Sequence, residues 1–196
     1  MKIITCWCLK GGVGKSSLAR NLASFIAIKE KKKVLVIDKD SQRSTFNKVQ
    51  DSVFDVVDII PKSFDGYDYV VCDMPPLNEN GENPLSVDQL RLIENTDLIV
   101  CPFQPNDDVV KSMMGIYNAN TNAIIQPVLN RFRSTSKLHK SAVSKINDCL
   151  VLKERNGDYE RLKAGQSLFD AKKSDVSNAL QEFIILGREI MKRVNK

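Results

Sequence analysis

The sequence of 196 residues has one histidine and no C-x-x-C pair. Its five cysteines, Cys6, Cys8, Cys72, Cys101 and Cys149, lie mostly inside apolar runs. A zinc centre and a redox dithiol therefore find no support in the spacing. Cys6-x-Cys8 is expected to put both thiols on one face of a strand, where core packing suits them better than a metal. Free thiols fit a reducing cytoplasm. No apolar run approaches the roughly 20 residues that span a bilayer. A glycine-rich loop occupies the place where the apolar core of a secretory signal would lie. Repeats, low-complexity tracts and long linkers are missing, so one domain over 1–196 is expected.

Net charge is scarce in the front of the chain and positive in the back. Residues 1–130 hold 14 Lys and Arg against 16 Asp and Glu; residues 131–196 hold 15 against 8. A basic back end suits either solvated helices or a polyanionic partner. The lone His139 lies among these lysines and reads as a surface residue.

The chain's strongest pattern is Lys10-Gly11-Gly12-Val13-Gly14-Lys15-Ser16-Ser17. It follows the apolar run 3–9 and precedes Leu18, Leu22, Phe25 and Ile26 at helical spacing. Strand, glycine loop, helix is the context in which such a loop binds phosphate. Glycines let backbone N–H groups converge on phosphate oxygens, and the helix N-terminus adds partial positive charge. Lys15 is placed to reach β- and γ-phosphates, and the Ser16 hydroxyl to meet Mg²⁺.

Two further strands end in acids. Val34-Leu35-Val36-Ile37 is a continuous apolar run ending in Asp38-Lys39-Asp40. Tyr69-Val70-Val71-Cys72 ends in Asp73, with Pro75 and Pro76 stopping the ladder. Ligands of α/β sheets sit at the carboxyl ends of strands. Asp38 and Asp40 there are expected to face Mg²⁺ or an attacking water, and Asp73, in a Walker B arrangement, to hold Mg²⁺ directly or through water. Residues 44–64 predict only a short helix and loop, 77–83 a polar loop, and 108–119 a helix carrying Met113 and Met114. Strands are expected at 97–102, 124–129 and 149–152, with Pro127 arguing against a central place for the second. Val176, Leu180, Phe183, Ile184, Gly187, Met191 and Val194 predict a terminal amphipathic helix. Strands and helices alternating in this way predict an α/β fold, a mostly parallel doubly wound sheet flanked by helices.

Lys10-Gly-Gly-x-Gly-Lys15-Ser resembles the deviant Walker A loop of the ParA/MinD ATPases, although Leu9 stands where the strict phosphate-loop pattern has glycine. Asp38-Lys39-Asp40-Ser41-Gln42 is similar to that family's switch I, with Ser41 in place of proline. Tyr67 to Pro76 is similar to its switch II, and Gly165-Gln166-Ser167-Leu168-Phe169-Asp170 to a later family segment. The likeness spans about residues 2–194, is specific in the first 76, and is nearest to the small ParF-like partition proteins.

The resemblance implies an ATP- and Mg²⁺-dependent homodimer in which Lys10 touches the nucleotide held by the second subunit. It implies that Asp38 lies near the metal and Asp40 positions the hydrolytic water. Asn130 and Arg131 would contact adenine. It also implies sequence-blind DNA binding by basic residues, for which the candidates are Arg155, Arg161, Lys163, Lys172, Lys173 and Arg188. A separate centromere-binding, ParB-like or other cargo adaptor would stimulate hydrolysis. No helix-turn-helix extension and no MinD-like membrane anchor are expected, and the place of action would be the nucleoid. The other functions open to this fold are a MinD-like positioning ATPase and an ATP-dependent biosynthetic ligase such as the dethiobiotin or cobyrinate synthetases.

Overall fold

The computed structural model describes residues 1–8, 10–40, 53–76, 85–105, 116, 122–163 and 165–196. In chain order the elements are β1 (Lys2–Cys6), α1 (Lys15–Lys29), β2 (Val34–Asp38), β3 (Asp55–Val57), β4 (Tyr69–Asp73) and α2 (Val87–Glu94). Then come β5 (Leu98–Phe103), β6 (Ile124–Phe132), α3 (Lys137–Ser144), β7 (Leu150–Lys153), α4 (Asn156–Glu160) and α5 (Lys173–Val194). The seven strands form one parallel sheet in the order β3-β2-β4-β1-β5-β6-β7. β1, the strand that feeds the glycine loop, therefore lies at the centre.

The two-residue period of a strand assigns each side chain to a face. Ile4 and Cys6, Val34 and Val36, and Tyr69 and Val71 pack on the face covered by α1 and α5. Ile3, Leu35, Ile37, Val70 and Cys72 pack on the opposite face, with Leu92 and Ile93 of α2. Both faces are covered, which is why these strands read as unbroken apolar runs. α2 starts in a capping box: the Gln89 N–H donates to Ser86 Oγ (3.3 Å) and the Ser86 N–H to Gln89 Oε1 (2.7 Å). α1 and α5 approach so closely that a Cβ on Gly187 would lie 2.7–2.9 Å from the Phe25 ring.

Several expectations meet a different outcome. Residues 55–57, expected within a helix and loop, form the edge strand β3, paired with β2 through Leu35–Asp55, Val36–Val56 and Ile37–Val57. Thr45, Phe46 and Val49 of that stretch lie outside the described residues, as do Ser41 and Gln42, the loop 77–83, and Met113 and Met114. Cys6 and Cys8 do not share a face: β1 ends at Cys6, and the two thiols enter opposite core clusters. Pro127 does lie in an interior strand, but the β7 ladder begins one residue later, at Val128–Leu150, so the missing N–H interrupts nothing there. The terminal helix forms at 173–194, and its apolar residues join the α1 face.

Candidate functional site

Strand register builds the acidic half of the site. Cys6 pairs with Asp73, and Asp73 with Asp38, so the last residues of three neighbouring strands stand in a row. Counting by two from Val34 and Val36 to Asp38, and from Tyr69 and Val71 to Asp73, places both carboxylates on the α1 face. Both are buried. The turn after β2 is shaped by Asp38 itself, whose carboxylate accepts the Asp40 N–H at 3.1 Å.

The glycine loop supplies the basic half. Gly12 and Gly14 have φ of 77° and 94°, a region that side-chain-bearing residues rarely enter. α1 then begins with Gly14 as its N-cap and no side-chain cap, which suits an N-terminus that is to meet an anion. Lys10, Gly11 and Gly12 are exposed; Val13 and Lys15 are buried; Gly14, Ser16 and Ser17 lie between these extremes. The Cys8 thiol donates to the Lys10 carbonyl at 3.2 Å and steadies the start of the loop.

The halves meet at Lys15. Its Nζ donates to Asp40 Oδ2 and to Asp73 Oδ1, each at 2.7 Å. Burial pulls the ammonium pKa down, but Asp73 and Asp40 outweigh it and hold the value above that of an ordinary lysine. Burial pushes the Asp73 carboxyl up, against the downward pull of Lys15 and Ser16. Burial, then Asp73, pushes the Cys6 thiol up as well, so it stays protonated and inert.

Asp73 Oδ2 is buried and has no hydrogen-bond partner. A lone buried acceptor of this kind is costly unless something satisfies it. The Ser16 hydroxyl bears on the same carboxylate, and this hard oxygen donor set fits Mg²⁺. Among the described residues no three His, Cys, Asp or Glu side chains cluster to hold a metal by themselves. A phosphate-loop Mg²⁺ does not require that, since phosphate and water complete its shell.

Asn130 and Arg131, at the end of β6, also reach the loop. They line a cavity of about 140 Å³ together with Gly14, Ser17, Tyr159 and Phe183. Asn130 Nδ2 donates to the Val13 carbonyl at 2.7 Å.

The six basic candidates fall into different settings. Lys163, Lys172, Lys173 and Arg188 are exposed. Arg161 is exposed and donates to the Asp175 carbonyl at 2.9 Å. Arg155 is half-buried in the cavity wall, with its guanidinium on Glu182 at 2.5 Å.

Two contributors escape sequence reasoning. Asn21 Nδ2 donates to the Ser17 carbonyl (2.8 Å), and its Oδ1 accepts the Leu168 N–H (2.7 Å), tying α1 to the 165–170 turn. The available signal was a polar residue between Leu18 and Leu22 on the apolar face, which needs a partner when buried. Arg20 is half-buried; burial lowers its pKa, and Asp73, Asp170 and Asp38 counter that shift.

The sequence profile of the CobQ/CobB/MinD/ParA nucleotide binding domain matches residues 4–168. No curated protein sequence matches the chain. Among solved structures, a Borrelia burgdorferi B31 protein assigned to plasmid partition and bound to AMPPNP is 22% identical, with TM-score 0.69 over 95% of this chain and 99% of that one. The septum site-determining protein MinD from Pyrococcus horikoshii OT3, complexed with Mg-ADP, is 17% identical, with TM-score 0.69 over 96% and 95%. The MinC:MinD complex from Aquifex aeolicus gives 17% identity and TM-score 0.65 over 98% and 96%. At such identities the likeness lies in the fold.

Proposed function

Because this chain belongs to the CobQ/CobB/MinD/ParA nucleotide-binding family, we propose that it is an ATPase acting as a nucleotide-timed switch in DNA partition. The observation that carries the reading is Lys15 shared between Asp40 and Asp73 at 2.7 Å. This is a buried cation held between a metal-type carboxylate and a water-type carboxylate. The phosphate oxygens of ATP compete for the same ammonium.

In this reading the loop amides of Gly11 to Ser17 and the Lys15 ammonium bind the β- and γ-phosphates. Ser16 and Asp73 would hold Mg²⁺, with Asp38 in the surrounding shell; when bound, the ion neutralises charge on the β- and γ-oxygens. Asp40 orients the attacking water. Lys15, and Lys10 from a second subunit, stabilise charge on the transferred phosphoryl group. Asn130 and Arg131 border the base. Two subunits close face to face around ATP, and the exposed Lys163, Lys172, Lys173, Arg161 and Arg188 then contact DNA phosphates without reading sequence. A ParB-like or other cargo adaptor accelerates a hydrolysis that is slow alone, and the protein works at the nucleoid.

A membrane-seated, MinD-like role gains no support from α5. Of the large exposed apolar side chains among the described residues, that helix contributes only Ile185, and no described helix is long and apolar enough to cross a membrane. The test is binding to a random-sequence duplex with ATP, ADP or no nucleotide, at two salt concentrations. Tight, salt-sensitive binding with ATP alone is expected. No binding in any state overturns the DNA role and directs attention to vesicles and small-molecule acceptors.

A further inference from the structure

The residue at the end of β6 that the resemblance assigns to the base is bonded to the phosphate loop. Asn130 Nδ2 donates to the Val13 carbonyl at 2.7 Å, across 117 positions of sequence. Its Oδ1 accepts the N–H of Arg131 at 3.0 Å. Arg131 has φ of 57°, uncommon for a residue with a side chain. Both amide groups of Asn130 are thus engaged, and the left-handed turn at Arg131 seats one of them. The fit to the loop is tight, since a Cβ on Gly14 would lie 2.3 Å from Asn130 Nδ2. The φ of 94° favours glycine at position 14, and a side chain there would push the Asn130 amide off its place.

The geometry points to Asn130 as a positioning residue that sets the phosphate loop, rather than one that only lines the base cavity. The Val13 carbonyl belongs to the same planar trans peptide as the Gly14 N–H, and the two point in opposite directions. That peptide turns about Val13 ψ and Gly14 φ, and on the Gly14 side, at φ 94°, no Cβ opposes the rotation. Pinning the carbonyl to Asn130 stops the rotation and directs the Gly14 N–H away from Asn130, as a donor for a phosphate oxygen. Asn130 and Gly14 also line one cavity. A base seated there bears on the same amide that orients the loop, so base and phosphate recognition are coupled through one side chain.

This inference rests on the nucleotide reading above, and the experiment separates the two. Affinities for ATP, inorganic tripolyphosphate and adenosine are measured by calorimetry for the unsubstituted chain, Asn130→Ala and Asn130→Asp. Thermal melting is followed alongside. The alanine removes the donor without adding charge and carries the comparison; the aspartate keeps the volume against Gly14 but sets a negative charge beside the phosphates, so it should lower both affinities further. A loop-positioning role lowers tripolyphosphate and ATP affinity by the same factor, about tenfold for one lost hydrogen bond. It also removes the shift of the Gly14 amide resonance on adding tripolyphosphate, which a loss of general stability would not do. Weakened ATP and adenosine binding with tripolyphosphate binding unchanged overturns the inference and makes Asn130 a base contact alone. An unsubstituted chain that takes neither ATP nor tripolyphosphate overturns the nucleotide reading itself, and the positioning role with it.

Discussion

Lys15 Nζ lies 2.7 Å from Asp40 Oδ2 and 2.7 Å from Asp73 Oδ1, with the Lys15 side chain 5% exposed and that of Asp73 fully buried. One ammonium thereby neutralises carboxylates borne at the ends of two adjacent strands. Removing it leaves Asp73 buried without its counter-charge, so Lys15→Ala should cost about 3–5 kcal/mol in urea denaturation and abolish ATP binding. The pH dependence has a definite sign. Lys15 has a folded pKa above its ordinary 10.5, so its contribution is complete below pH 10.5 and is lost as pH rises through the folded value. Stability of Lys15→Ala, measured over the same alkaline range, should lack this slope.

Asp73→Asn should behave differently from Lys15→Ala. Burial holds the Asp73 carboxyl above its usual 3.8, so its ionisation works against the folded state as pH rises from 3.8 through the folded value. Asparagine removes that ionisation and still offers Lys15 an oxygen. Stability near neutral pH should change by only about 1 kcal/mol, while the Mg²⁺-dependent tightening of ATP binding falls by about tenfold or more. Titrating ATP with and without Mg²⁺ reads this directly.

Lys10→Ala is expected to abolish ATP-dependent dimerisation, read by light scattering, while the monomer keeps its nucleotide. Loss of ATP binding by the monomer would instead make Lys10 a ligand of its own subunit's nucleotide.

Replacing Lys163, Lys172, Lys173 and Arg188 together by alanine should weaken ATP-dependent DNA binding and spare basal hydrolysis. The slope of log affinity against log salt should flatten by about 0.9 for each phosphate contact removed. Unchanged affinity would move the DNA surface elsewhere. Arg155→Ala tests another matter, because its guanidinium is held by Glu182 at 2.5 Å. Its effect should appear as a lower melting temperature before it appears in DNA binding.

Gly187→Ala should destabilise the chain by about 1–3 kcal/mol. The added carbon would meet Phe25 ring atoms at 2.7–2.9 Å between two packed helices, and Phe25 is itself fully buried. An unaltered melting temperature would mean that α1 and α5 separate more easily than their contact suggests.

Features carried by neighbouring residues were legible in the sequence. The glycine loop announces a strand on one side and a helix on the other. Asp38 and Asp73 stand out because each closes an apolar run, and parity along the strand then fixes the face. β3 was hidden because Asp55–Val57 is three residues long, too short to display a period. α4, five residues at Asn156–Glu160, was hidden for the same reason. Partners distant in sequence leave no local trace. Nothing near Arg155 signals Glu182, 27 positions on, and nothing near Asn130 signals the Val13 carbonyl, 117 positions earlier.

Asn21 joins the second turn of α1 to Leu168, 147 positions downstream, and Phe25 of the same helix seats against Gly187. The order of synthesis is therefore the reverse of the order of need. The phosphate loop leaves the ribosome before the residues that brace its helix, which emerge more than 140 positions later. Contacts so distant in sequence form slowly. A growing chain thus carries every residue of the loop long before it has a loop that can grip an anion, and the switch cannot engage until the fold has closed around it.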